Sequence, residues 1–235
     1  MVKVAIVMSD YGHDPSETAV PYAGLKAAGF DINFITENGA SPRCDAKMLE
    51  GITQKLLGAK KSVIAQYDIM ITSEEWKSPL SWSTPGFSLN DYDLVFLPGG
   101  HEKSVRQVID SDTVHKLMAE FFPQTKKPGK KAVGAVCHGV MVLSETKGED
   151  GKSVLYGRKT TALPTRFEQL AFWGTRAFLG DYYKTYGACS ENVEESVSYS
   201  CPSDERLNAK NANMLQVTKV LAKPEDFKTS LSTGP

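Results

Sequence analysis

The stretch GKKAVGAVCHGVMVLSE, residues 129–145, decides the fold. Its apolar run KAVGAV (131–136) leads straight into Cys137, His138 and Gly139, and then into Val140, Met141, Val142 and Leu143. A short apolar run followed by helix-forming residues reads as a buried strand feeding a helix. The junction of such a pair usually holds a turn residue or a helix cap. Here it holds a thiol and an imidazole, and the glycine permits a crowded backbone. That is the logic of a nucleophile elbow, which lifts a reactive atom onto a sharp strand-to-helix turn. Neighbours i and i+1 on a regular helix do not face each other, so Cys137 and His138 can cooperate only if the backbone at 137 leaves helical geometry.

The same alternation of strand and helix recurs on both sides, which is the α/β signature with a mostly parallel sheet. Strands are expected at 2–8, 30–36, 91–100, 131–136, 159–164 and 193–200. Helices are expected at 16–28, 103–122, 138–146, 166–179 and 211–222. Pro21 interrupts the first helical pattern and should kink or delay it. Parallel sheets bind ligands beyond the carboxyl ends of their strands. Three polar turns fall there: SDYGHDPSE (9–17), PGGHE (98–102) and CHG (137–139).

Residues 38–90 make a long connection for a structureless loop. They carry Trp76, Trp82 and a possible strand, YDIMIT (67–72). The segment is either a cap packed over the site or an ordinary further βα unit; otherwise residues 1–235 form one domain.

Composition narrows the function classes. The 235 residues suffice for a sizeable core, and a formal net charge of −1 leaves no basic footprint for nucleic acid. No stretch approaches the roughly 20 apolar residues of a membrane helix. MVKVAIVMSD lacks the length and cleavage site of a secretory leader, so it is expected to be the first strand of a cytoplasmic protein. Cysteines stand at 44, 137, 189 and 201 with no metal-ligand spacing, and the four histidines are scattered. No metal or cofactor is therefore expected. His13 and His115 read as surface residues.

AVCHG after a strand, LPGGHE before it and SETAVP in the first helix together resemble the ThiJ/PfpI superfamily. The resemblance implies a flavodoxin-like three-layer α/β/α sandwich. It implies Cys137 as nucleophile, His138 as its partner and Glu17 as the acid against the sulfur. Gly99 and Gly100 would form the oxyanion side of the pocket, with the His138 amide. The closest branch, the heat-shock glyoxalases of type III, implies a third catalytic member, for which Glu168 in LPTRFEQLAF is the candidate; its pattern equally suits a solvated helix glutamate. His101 either lines the pocket or starts a helix. The function implied is a cofactor-independent lyase that converts a small aldehyde such as methylglyoxal to lactate, and the assembly implied is a homodimer. Isonitrile hydration or another hydrolysis on the same cysteine, and a redox-sensing or holdase role, are the alternatives.

Overall fold

The computed structural model describes residues 1–158 and 160–200 and, as backbone, the strand at 217–220. Its strands are β1 (Lys3–Val7), β2 (Tyr11–His13), β3 (Asp31–Thr36), β4 (Arg43–Cys44), β5 (Leu80–Ser81), β6 (Leu94–Leu97), β7 (Ala132–Val136) and β8 (Val217–Val220). Its α-helices are α1 (Pro15–Ala27), α2 (Ala46–Leu49), α3 (Gly51–Leu57), α4 (Lys61–Met70), α5 (Glu74–Lys77), α6 (Arg106–Ile109), α7 (Asp112–Phe121), α8 (Val140–Glu145), α9 (Thr165–Leu179) and α10 (Val193–Ser200).

The main sheet runs β5-β3-β1-β6-β7-β8; every pair is parallel except β7 with β8. Successive side chains of a strand face opposite ways, and the strands here are apolar on both faces. Val4, Ile6 and Met8 pack with Phe34 against Ala19 and Tyr22 of α1, Tyr67 and Met70 of α4, and Trp76 of α5. Ala5 and Val7 pack with Val95, Leu97 and Val133 against α6, α7, α8 and α10. Helices therefore cover both faces, and the architecture is the expected three-layer α/β/α sandwich.

β1 lies between β3 and β6, so the chain leaves β1 in one direction and later returns on its other side. That reversal opens a crevice at the carboxyl ends of β1 and β6. Residues 38–90 supply the edge strand β5, helices α4 and α5 in one outer layer, and β4, which pairs with β2 beside the crevice. Among the described residues no helix is long and apolar enough to cross a membrane.

Several elements differ from the sequence expectation. YDIMIT is no strand: it closes α4, where Tyr67 and Met70 bury at a spacing of three. VEESVSYS is α10, because Val193, Ser196 and Val197 bury at helical rather than alternating intervals. Residues 160–164 form no strand. The helix expected at 103–122 divides, because the Ser111 hydroxyl accepts from Val114 N (3.3 Å) and caps a fresh start for α7. Of the final helix expected at 211–222, residues 217–220 are instead an antiparallel strand, and the remainder lies outside the described residues, as does Cys201.

Candidate active site

Glycine makes the crevice narrow enough to join three turns. A Cβ on Gly139 would come 2.3 Å from Leu97 O, so the start of the helix can press against the end of β6 only without one. A Cβ on Gly99 would meet Glu17 Oε2 at 2.4 Å, Val136 O at 2.5 Å and Cys137 Cβ at 2.7 Å. Gly100 adopts φ +149°, and its absent Cβ leaves room for Gly12 O at 2.7 Å. The turns after β1, β6 and β7 are thereby held in mutual contact.

His13 fastens two of them. Its Nε2 accepts from Ser9 N (2.8 Å), its Nδ1 lies 3.0 Å from Gly99 O, and Asp14 N donates to the same carbonyl at 3.0 Å. The expectation of a surface histidine fails here: the ring is 1% exposed, because the polar turn folds inward under α1. Burial lowers it to about 4, so it bridges as the neutral imidazole. His115 is half-buried, its Nε2 2.6 Å from Ile109 O.

Cys137 has φ +51°, the positive-φ conformation among described non-glycine residues, and a short 3₁₀ turn (Cys137–Gly139) follows before α8. This is the elbow. It brings the two neighbouring side chains together, with Cys137 Sγ 3.3 Å from His138 Nδ1. A cysteine forced into the left-handed region is strained, and such strain gathers at functional positions.

Glu17 reaches the sulfur from the first turn of α1. Asp14 caps that helix, accepting from Ser16 N (2.7 Å) and Glu17 N (3.3 Å). The Glu17 carboxyl lies against Cys137 and the Gly99 amide, with its Oε2 buried and unpartnered. Burial, and then the nearby Asp14 charge, push Glu17 well above the usual carboxylate range. Burial, and then Glu17, push the Cys137 thiol up as well. Two such acids in contact cannot both ionise cheaply. The pair therefore retains one proton, and a thiolate is favoured when Glu17 carries it.

On the far side of the imidazole, His138 Nε2 lies 3.9 Å from Glu168 Oε1. Glu168 is 5% exposed rather than solvated, and its Oε2 accepts from Val193 N at 3.1 Å. Burial lowers His138 to about 4 and, more than any other influence, raises Glu168. His101 joins the same crevice: its ring stacks on Tyr183 (4.2 Å between centroids) and meets Tyr182 edge-on (4.6 Å), while its Nε2 is buried without a partner. Cys44 is buried, opposite His13 in the β2–β4 pair, and Cys189 is exposed. The sequence reading missed Asp14, His13, Tyr182, Tyr183 and Lys184. For the last three the available signal was the run DYYKTYG (181–187), a lysine set among aromatics.

Comparison with known proteins bears on the family and the fold. A family profile described as ThiJ/PfpI family-like matches residues 8–210. An uncharacterised Schizosaccharomyces pombe protein is 27% identical over 143 residues, which is 60% of this chain and 54% of the relative. The glutathione-independent glyoxalase hsp3101 of the same yeast is 26% identical over 153 residues, 63% of this chain and 57% of the relative. The matches thus take in little more than half the length of these relatives. The crystal structure of glyoxalase III from Candida albicans superposes with a TM-score of 0.59, at 17% identity, covering 85% of this chain and 80% of that one. It shares the fold.

Proposed function

Because the chain belongs to the ThiJ/PfpI-like family, we propose that it is a cofactor-independent enzyme that converts small 2-oxoaldehydes to 2-hydroxy acids, with Cys137 as nucleophile. The observation that carries this reading is the elbow: a cysteine at φ +51° with its sulfur 3.3 Å from an imidazole nitrogen. The names of the yeast relatives supply the substrate class, and methylglyoxal is the simplest member.

The pair's one proton lies on Glu17 as the sulfur bonds the aldehyde carbon, and it then passes by way of His138 Nδ1 to the former carbonyl oxygen to give a hemithioacetal. The amides of Gly100 and His138 hold that oxygen while it is charged. Loss of the C1 hydrogen as a proton and its return at C2, with the hydroxyl proton passing from the C1 oxygen to the C2 oxygen, turns C1 into a thioester and C2 into an alcohol. One carbon is oxidised as the other is reduced, so no external oxidant enters. Water then adds to the thioester, releases lactate and restores the thiol. Glu168 orients His138 through Nε2, and Glu17 holds the proton shared with the sulfur.

The test is lactate formation from methylglyoxal by the pure protein without glutathione. Wild type should turn over and Cys137→Ala should fall to background; equal rates would sink the reading. A parallel panel of isonitriles and esters separates hydration and hydrolysis on the same cysteine. Selective oxidation of Cys137 by mild peroxide, read by mass spectrometry, would instead favour a redox-sensing role. A homodimer belongs to the same proposal and is tested by light scattering.

A further inference from the structure

A lysine that the reaction above does not use is sealed beside its acid. Lys184 is 1% exposed, in the turn after α9. Its Nζ lies 3.7 Å from Glu168 Oε1, the same oxygen that faces His138 Nε2 at 3.9 Å. Side-chain exposures of His138, Glu168 and Lys184 are 3%, 4% and 2%. A buried lysine is costly unless its charge is paired and its protons are hydrogen-bonded. Here the ammonium also donates to Asn192 Oδ1, and Asn192 is fixed in turn by Glu195, whose Oε2 accepts from Asn192 N (2.7 Å) and Nδ2 (2.9 Å). This connected set runs from the end of α10's first turn to the imidazole.

We infer that Lys184 is a positioning residue: its ammonium holds Glu168 charged and in place, which turns His138 so that the nitrogen facing Cys137 is free to accept a proton. The argument is one of charge balance. Glu168 and Lys184 cancel, so a proton added to His138 would bring an uncompensated positive charge into a site closed to water. If Lys184 lost its charge, the imidazolium would become the natural partner of the carboxylate, and His138 would protonate far more readily. The groups around this ring carry the same sense. After burial, Lys184 is what lowers His138, and Lys184 also lowers Glu168 whereas Glu195 raises it. His101 faces the ring as a neutral group held down to about 3, and Cys137, with Glu17 and Asp14 behind it, faces Nδ1.

The inference rests on Cys137 and His138 being the reacting pair, but its test needs no substrate. Ring-nitrogen NMR of the ¹⁵N-histidine-labelled full chain reports the tautomer and titration midpoint of His138. Wild type should show neutral His138 with its proton on Nε2 at pH 7. In Lys184→Met the midpoint should rise by about one unit or more, while Lys184→Arg should stay near wild type. An unchanged midpoint in a folded Lys184→Met protein would overturn the inference. Should that variant fail to fold, Glu168→Gln tests the balance from the other side: the Nε2–H preference should be lost, and its persistence would overturn the inference equally. Failure to make lactate with these NMR results intact would reject the proposed reaction and leave the charge balance standing.

Discussion

At Gly99 a single missing methyl group separates a working crevice from a blocked one. Gly99→Ala would drive a Cβ to 2.4 Å from Glu17 Oε2 and 2.5 Å from the Val136 carbonyl, and the carbonyl cannot swing away. We expect a loss of about 1–3 kcal/mol in stability and a larger loss of Cys137 reactivity, read by denaturant unfolding and by iodoacetamide labelling. Wild-type reactivity in that variant would show that Glu17 and Cys137 need no such contact. Glu17 also gives a pH signature. Its folded value lies above its unfolded one, so the neutral form favours the fold at low pH, and that contribution is lost as pH rises above about 4.5. Thermal midpoints of Glu17→Gln and wild type should therefore diverge in favour of the variant between pH 4.5 and 8. Parallel curves would mean that Glu17 titrates normally.

Helix α1 carries Glu17 to the sulfur and contains its own irregularity. Pro21 lies inside it, yet the helix runs unbroken from Pro15 to Ala27. The proline has no N–H to offer the Glu17 carbonyl four residues back, and proline inside a helix costs about 3 kcal/mol relative to alanine. Two features offset this: the Asp14 cap, with Pro15 in the first turn, and the burial of Ala19 and Tyr22 against the sheet. Pro21→Ala should raise the denaturant midpoint, by up to about 2 kcal/mol of stability, with the elbow unchanged. A fall would show that the missing hydrogen bond shapes the backbone that presents Glu17. Helix α9 illustrates the reverse case. Its inner face buries Glu168, Phe172 and Thr175, while Leu170, Trp173 and Phe178 stand exposed, so an apolar pattern alone would have put the wrong residues in the core.

Taken as a whole, the molecule keeps His13, His101 and His138 neutral in its interior, each lowered by burial. The unfolded chain binds those protons near pH 6.5 and the folded one only near pH 4 or below, so this contribution to stability is complete above about 6.5 and drains away towards 4. His13 joins the ends of β1 and β6 and should feel it most. His13→Asn should make stability depend less steeply on pH between 4 and 6.5, by up to about 1.4 kcal/mol per unit, as followed by chemical unfolding across that range. An unaltered slope would show that His13 does not titrate on unfolding. The sequence by itself determined the elbow, the mostly parallel α/β order and the placing of Cys137, His138, Glu17, Gly99 and Gly100 at strand or helix ends. These are local signals: apolar periodicity, glycine at crowded turns and an acid at a helix start. It misread 193–200 and 67–72, where valines or isoleucines suit a strand but burial at helical spacing prevails. Only the tertiary structure decided that Glu168 is buried rather than solvated, that His13 is interior and that Lys184 exists as a partner at all. Those facts depend on groups 16 to 86 residues apart meeting where water is excluded, and the free energy of a charge or a ring there is set by neighbours that no local window of sequence contains.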